Sequence, residues 1–384
     1  LTFRLLSLDG GGAWSVLQAM ALADLYPDRG GHAILRRFDL AVACGGGALV
    51  LGALMADRSP TQIIEALKTP ATLAGLCRPR RVGGLERFVS RFGLYPRFQT
   101  AARPAAIAGL LGPGGQNRLD AWTLRGPGEA PVGALFVAYD QDRGALASLR
   151  GYAIESTGEE PSAISIADAV HAATTAPFSY HDAPATVGGR RFWDAALGGC
   201  HNPLMIGVVD AMAMGAMPED IVALSLGAGL VRLAPGDLVA KENGTAAALV
   251  AGGPRAGIKE EVDRAALRVQ DGPVDTACWT AHVTLVNEPS EMGRVVRMSP
   301  LAQPAPKAGG GWDYPKAVPA ALFDALARLD RAAAGPGEID LVAQLGEAWI
   351  RQGAANQPIR AGADLSAVLG DATYLAAKRR WRSL

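Results

Sequence analysis

No cysteine in this chain of 384 residues stands at metal or redox spacing. Cys44, Cys77, Cys200 and Cys278 are scattered through it. That excludes a disulfide scaffold or a zinc finger and leaves reduced, mostly buried thiols as the expectation. The histidines supply no HExxH, and the adjacent Cys200 and His201 make no ligand set, so no metal is expected. Net charge is lacking as well. Lys+Arg and Asp+Glu both number 37, which leaves no bulk field to draw in nucleic acid or an anionic membrane. No uninterrupted apolar run approaches the ~18 residues of a membrane span. The first residues enter a strand pattern with no basic stretch ahead of an apolar one, and a soluble cytoplasmic protein is the resulting expectation.

What is present is apolar material and glycine. Hydrophobic residues make up 49% of the chain, enough for a large buried core. The order of elements is repetitive at the start. Phe3–Leu8 is a short apolar run closed by Asp9 and three glycines, and Trp14, Leu17, Ala21, Leu22 and Leu25 then recur at helical spacing. The same grammar returns at once: Phe38–Ala43 as strand, Cys44–Gly47 as turn, Ala48–Met55 as helix. Ser59 and Pro60 supply an N-cap and first-turn proline for the next helix. Residues 70–131 read as a helical insertion with loops that covers a site.

Further on, Ala134–Tyr139 and Ala145–Tyr152 pair around a turn, Ser165–Thr174 is a helix, and Ala185–Phe192 holds a hairpin at Gly188–Gly189. Pro203–Met214 is a helix. Ile221–Leu226, His282–Val286 and Val295–Met298 read as strands. Helices follow from Pro319 and from Ile339, and Gln303–Gly311 reads as a linker. Strands alternating with helices predict a three-layer α/β fold, a mostly parallel sheet covered on both faces. We expect a single domain over 1–384, its core over about 1–300 and a helical extension over about 315–384.

A glycine-rich turn that opens a helix aims unpaired amides at one point, and its dipole favours negative charge there. Gly10, Gly11 and Gly12 form such a turn. The second turn, Ala43 to Gly47, has the small outer residues of a nucleophile elbow, in which a central serine is held exposed on a tight strand-to-helix turn. Here the centre is Gly45. Cys44 is the nearest replacement nucleophile, but it precedes the apex and its side chain should point elsewhere.

On these residues the chain resembles the patatin family of lipid acyl hydrolases. The family's DGGGxRG stands as Asp9, Gly10, Gly11, Gly12, Ala13, Trp14, Ser15. Phe38 and Asp39 match the pair ahead of the elbow and place the nucleophile at 45, within Ala43, Cys44, Gly46 and Gly47. Ala176, Pro177 and Tyr180 match a third motif in part. Asp194, Ala195, Ala196 with Asn202 and Pro203 match the catalytic-aspartate motif, and Ser225–Gly229 a following strand.

The resemblance implies a Ser-Asp dyad with Asp194 as base and Gly10, Gly11 and Gly12 as the oxyanion loop. It implies a lipid or acyl-ester ligand, with room for peripheral membrane contact, and no cofactor. Two departures stand out: no hydroxyl exists at 45, and the motif arginine is Trp14, which packs or forms a lip of the pocket. Gly45 is then an engineered inactivation, a natural loss that leaves a lipid- or protein-binding pseudoenzyme, or the sign that another group attacks. A nucleotide-binding protein is the rival by motif, but Ser15 replaces its third glycine and Asp9 would oppose a pyrophosphate.

Overall fold

The structure, a computed structural model, describes residues 2–80, 95–124, 131–177, 180–229, 276–286, 292–306, 312–313, 318–330, 335–361 and 367–384. β1 (Phe3–Leu8) pairs in parallel with β2 (Leu40–Cys44), as the two repeated strand–turn–helix units predict. Between them lie a 3-10 turn (Gly12–Ser15), α1 (Val16–Leu25) and the short α2 (Gly31–Leu35). The expected second turn is tighter than its glycines suggest, because α3 (Gly45–Met55) begins directly after Cys44. Every residue of α3 is buried, as befits a helix apolar all round.

α4 (Pro60–Lys68) opens on a capping box between Ser59 and Gln62, and α5 (Pro70–Leu76) follows. In the insertion, α6 (Arg103–Leu111) packs on α5 and on α7 (Ile166–Thr174). Residues 81–94 and 125–130 of that expected insertion lie outside the described residues, as does most of the Gln303–Gly311 linker.

β3 (Gly133–Asp140), β4 (Ala145–Arg150), the hairpin β5 (Ala185–Val187) and β6 (Arg190–Asp194), β7 (Ile221–Leu226) and β8 (Val295–Met298) complete the main sheet. Its order is β5-β6-β3-β2-β1-β7-β8, with β4 also on β3. The four pairings from β3 to β8 are parallel; β4, β5 and β6 run antiparallel to their neighbours. Alternate residues go to opposite faces. Leu6, Leu8, Ala41, Ala43, Phe136 and Leu224 join one core with α1, α3 and α7. Leu5, Val42, Cys44, Leu135 and Ala223 join a second with α8 (Leu204–Ala213). This is the three-layer arrangement expected.

One expectation is corrected. His282–Val286 is not a strand, because residues 276–285 are helical. Cys278, Ala281, His282 and Leu285 are its buried residues, at three- and four-residue spacing. Past Pro319, α9 (Ala320–Arg328), α10 (Pro336–Ile350) and α11 (Tyr374–Ser383) pack back on the sheet layers. Arg380 donates to the carbonyls of Gly293 and Val295, and Trp381 stacks on Phe38.

β3 positions the site. At Val137 its neighbours are Cys44 of β2 and Ser148 of β4; at Ala138 they are Asp194 of β6 and Ala147 of β4. A strand has two edges, and β4 takes one of them across both positions. β2 and β6 therefore share the other edge, end to end, with Cys44 and Asp194 against consecutive residues.

Candidate active site

Where β2 gives out, the chain turns into α3 through Gly45, whose φ is +46°. A side chain there would be strained. Its Cβ would sit 3.0 Å from Asp194 Oδ2 and 2.9 Å from Gly10 Cα. The elbow, the aspartate and the glycine loop thus meet at one point.

The neighbouring glycines have a different reason to be glycine. A Cβ on Gly46 would lie 2.6 Å from the Gly12 nitrogen, and one on Gly47 2.6 Å from the Asp9 carbonyl oxygen. The loop rests directly on the first turn of α3, and the Gly47 N–H donates to Asp9 O at 3.0 Å.

Within the loop the amides are not equivalent. The Gly10 N–H is donated to the His201 carbonyl at 2.8 Å. Those of Gly11 and Gly12 are donated to no described residue. These two are the uncommitted amides of the loop. The His201 carbonyl also accepts from the Cys44 thiol at 3.3 Å. Cys44 is wholly buried in the core beside α8. Burial pushes its thiol well up, and the neighbouring Cys200 adds to this. A packed, protonated thiol is not a nucleophile. Ala43, the other elbow residue, faces the opposite core.

Asp194 closes β6. Its Oδ1 accepts from the Ala196 N–H at 2.9 Å, its own N–H is donated to Thr175 O at 2.7 Å, and Oδ2 faces Gly45. Burial pushes its carboxyl up to about 6, against the Ala196 hydrogen bond and the positive charge of Arg103, which lower it. The folded chain therefore holds this proton more tightly than the unfolded chain. From about pH 4 to 6 stability falls as pH rises, and the loss is complete above 6. Asp194→Asn cannot ionise. Relative to the unchanged protein it should gain on the order of 2–3 kcal/mol at pH 7.5 and nothing near pH 3.5. Urea unfolding at the two pH values checks this, and an equal gain at both would overturn it.

Arg103, which the sequence reading missed, is buried and bridges elements around this carboxylate. Its guanidinium donates to Leu76 O, Thr174 O and Thr174 Oγ1, and it meets His181 Nε2 at 3.0 Å. Since guanidinium can only donate, His181 accepts at Nε2 and its Nδ1–H faces Ala176 O at 3.1 Å. Burial, then Arg103, push His171 down to about 4 and His181 down to about 3. Both are neutral at pH 7.

Trp14 is fully buried in the core. Of its two readings, packing is the one observed. Among the described residues no three His, Cys, Asp or Glu gather to hold a metal ion, and no helix is long and apolar enough to cross a membrane.

Comparison with known proteins agrees with the motifs. The family model described as Patatin-like phospholipase matches residues 6–199. No curated protein matches the chain. Among solved structures, VipD from Legionella pneumophila is similar over 90% of this chain and 67% of its own, at 10% identity and a TM-score of 0.33. With the family model spanning half of its length, from β1 past Asp194, the chain belongs to the patatin-like phospholipase family.

Proposed function

We propose that this protein is a lipid acyl-ester hydrolase scaffold of the Ser-Asp type that lacks its nucleophile. It would bind an acyl ester but would not cleave it through a covalent intermediate. One observation carries the reading: a Cβ on Gly45 would lie beside the Asp194 carboxylate, 3.0 Å from Oδ2.

With serine at 45, Asp194 would take the hydroxyl proton as Oγ attacks the ester carbonyl. The tetrahedral oxyanion would rest on the Gly11 and Gly12 amides. On collapse the alcohol would leave with the proton from Asp194, and water, activated by the same carboxylate, would release the acid. His171 and His181, both neutral and enclosed, have no part in it. The left-handed backbone at Gly45 also favours a second reading, a binding protein for lipid or for another protein that no longer needs the hydroxyl.

The test is hydrolysis of p-nitrophenyl acyl esters by the chain as it stands, by Gly45→Ser, and by Gly45→Ser with Asp194→Ala. Turnover is expected from the second alone. Turnover by the unchanged chain would sink the dyad reading. A folded but inert Gly45→Ser would favour the binding protein.

A further inference from the structure

The three glycines after Asp9 have more conformational freedom than any other residue type, so something must hold them in one arrangement. The backbone of Asp9 is pinned on two sides. Its N–H is donated to Leu226 O at 3.0 Å, and its carbonyl accepts from the Gly47 N–H and from Gln18 Nε2 at 2.8 Å. Its carboxylate is held by an arginine. Oδ2 accepts from Arg297 Nη2 at 2.6 Å, and Asp9 and Arg297 are each 2% exposed.

Arg297 is itself fully oriented. Nη1 donates to Ser225 Oγ at 2.8 Å and Nη2 to Gln357 Oε1 at 2.9 Å. Gly227 lies close to the guanidinium, where a Cβ would come within 2.5 Å of Nη2. The end of β1, the end of β7 and the side chain from β8 thus converge behind the loop. A buried ion pair adds little net stability, because desolvation offsets the attraction. What it supplies is a fixed orientation.

We propose that Arg297 is the positioning residue of the glycine loop, holding Asp9 so that the Gly11 and Gly12 amides face the reacting carbonyl. Arg297 is 288 residues from its partner in sequence and lies beyond the stretch the family model matches. The proposal rests on the reading of this loop as an oxyanion site.

Two experiments separate it from a purely structural role. In the Gly45→Ser background, Arg297→Met and Asp9→Asn should each lower kcat on the order of 10²-fold while KM moves less than about threefold. Arg297→Lys should recover part of the loss. The double variant Asp9→Asn with Arg297→Met removes both buried charges, so its Tm should recover while kcat stays low. A kcat that recovers with Tm, or singles with unchanged kcat, would overturn the proposal.

The second experiment needs no turnover and therefore decides even if Gly45→Ser is inert. In the unmodified chain, the double variant should speed amide hydrogen exchange over residues 10–15 at least about tenfold and leave β3 unchanged. Unaltered exchange over 10–15, or a uniform rise across the chain, would overturn it.

Discussion

Gly45→Ser is expected to raise esterase turnover on the order of 10³-fold or more above that of the unchanged protein. Asp194→Ala in the same chain should return it to background. The physics sets two further expectations for the serine variant. First, a non-glycine residue at φ +46° costs about 1–2 kcal/mol, and Gly10, at 2.9 Å from the new Cβ, must retreat by tenths of an ångström. The gain in activity should therefore come with a fall in Tm. Second, the base must be ionised to accept the hydroxyl proton. With Asp194 pushed up to about 6, kcat should climb tenfold per pH unit below that value and level off above it. A serine variant more stable than the glycine chain, or one whose rate is flat from pH 4 to 8, contradicts the geometry of the elbow.

Gly47→Ala should abolish folding, although the change is a single methyl group. Its Cβ would press into the Leu8 carbonyl oxygen and come within 2.6 Å of that of Asp9. Both are backbone atoms at the end of a central strand, with no rotamer to give way. Relief requires lifting α3 off β1, which breaks the Gly47-to-Asp9 hydrogen bond and opens the core that α3 shares with α1 and α7. The cost should exceed about 4 kcal/mol, the range reserved for disruptions of this kind. Gly109 is the control. It lies within α6, and a Cβ there meets nothing within 4 Å, so Gly109→Ala should stabilise by about 0.5–1 kcal/mol. Urea unfolding of both variants makes the comparison. Similar midpoints would show that the loop and helix are not in the contact described.

The first fifty residues are legible because strand ends, glycine turns and helix starts follow one another at short range. The Ser59 cap, the Gly188–Gly189 hairpin and the Val295–Met298 strand are legible for the same reason. His282–Val286 misled because its valines and threonine favour strands. The burial of Cys278, Ala281, His282 and Leu285 against the sheet decided for helix, and propensity gives way to packing. Asp194 could be brought to Gly45 only through the family motifs. Nothing in the periodicity of β2 or β6 says that they share an edge of β3. Arg297 was beyond reach altogether, since a charged residue in an apolar strand announces a partner but not which one. Arg103 is hidden likewise, because two of its four partners are carbonyl oxygens, which every residue carries.

The shared edge of β3 also says where this chain can change. Cys44 and Asp194 stand against consecutive residues of that edge, Val137 and Ala138, one step of about 3.3 Å along the strand, and Gly45 follows Cys44 directly. The arcs 46–132 and 141–189 leave that edge and return to it, and their lengths do not enter the measurement. Insertions there can lengthen either arc without disturbing the register of Cys44 and Asp194 on β3. One extra residue bulged between Val137 and Ala138 would do the opposite, leaving every helix in place and drawing the two halves of the site apart.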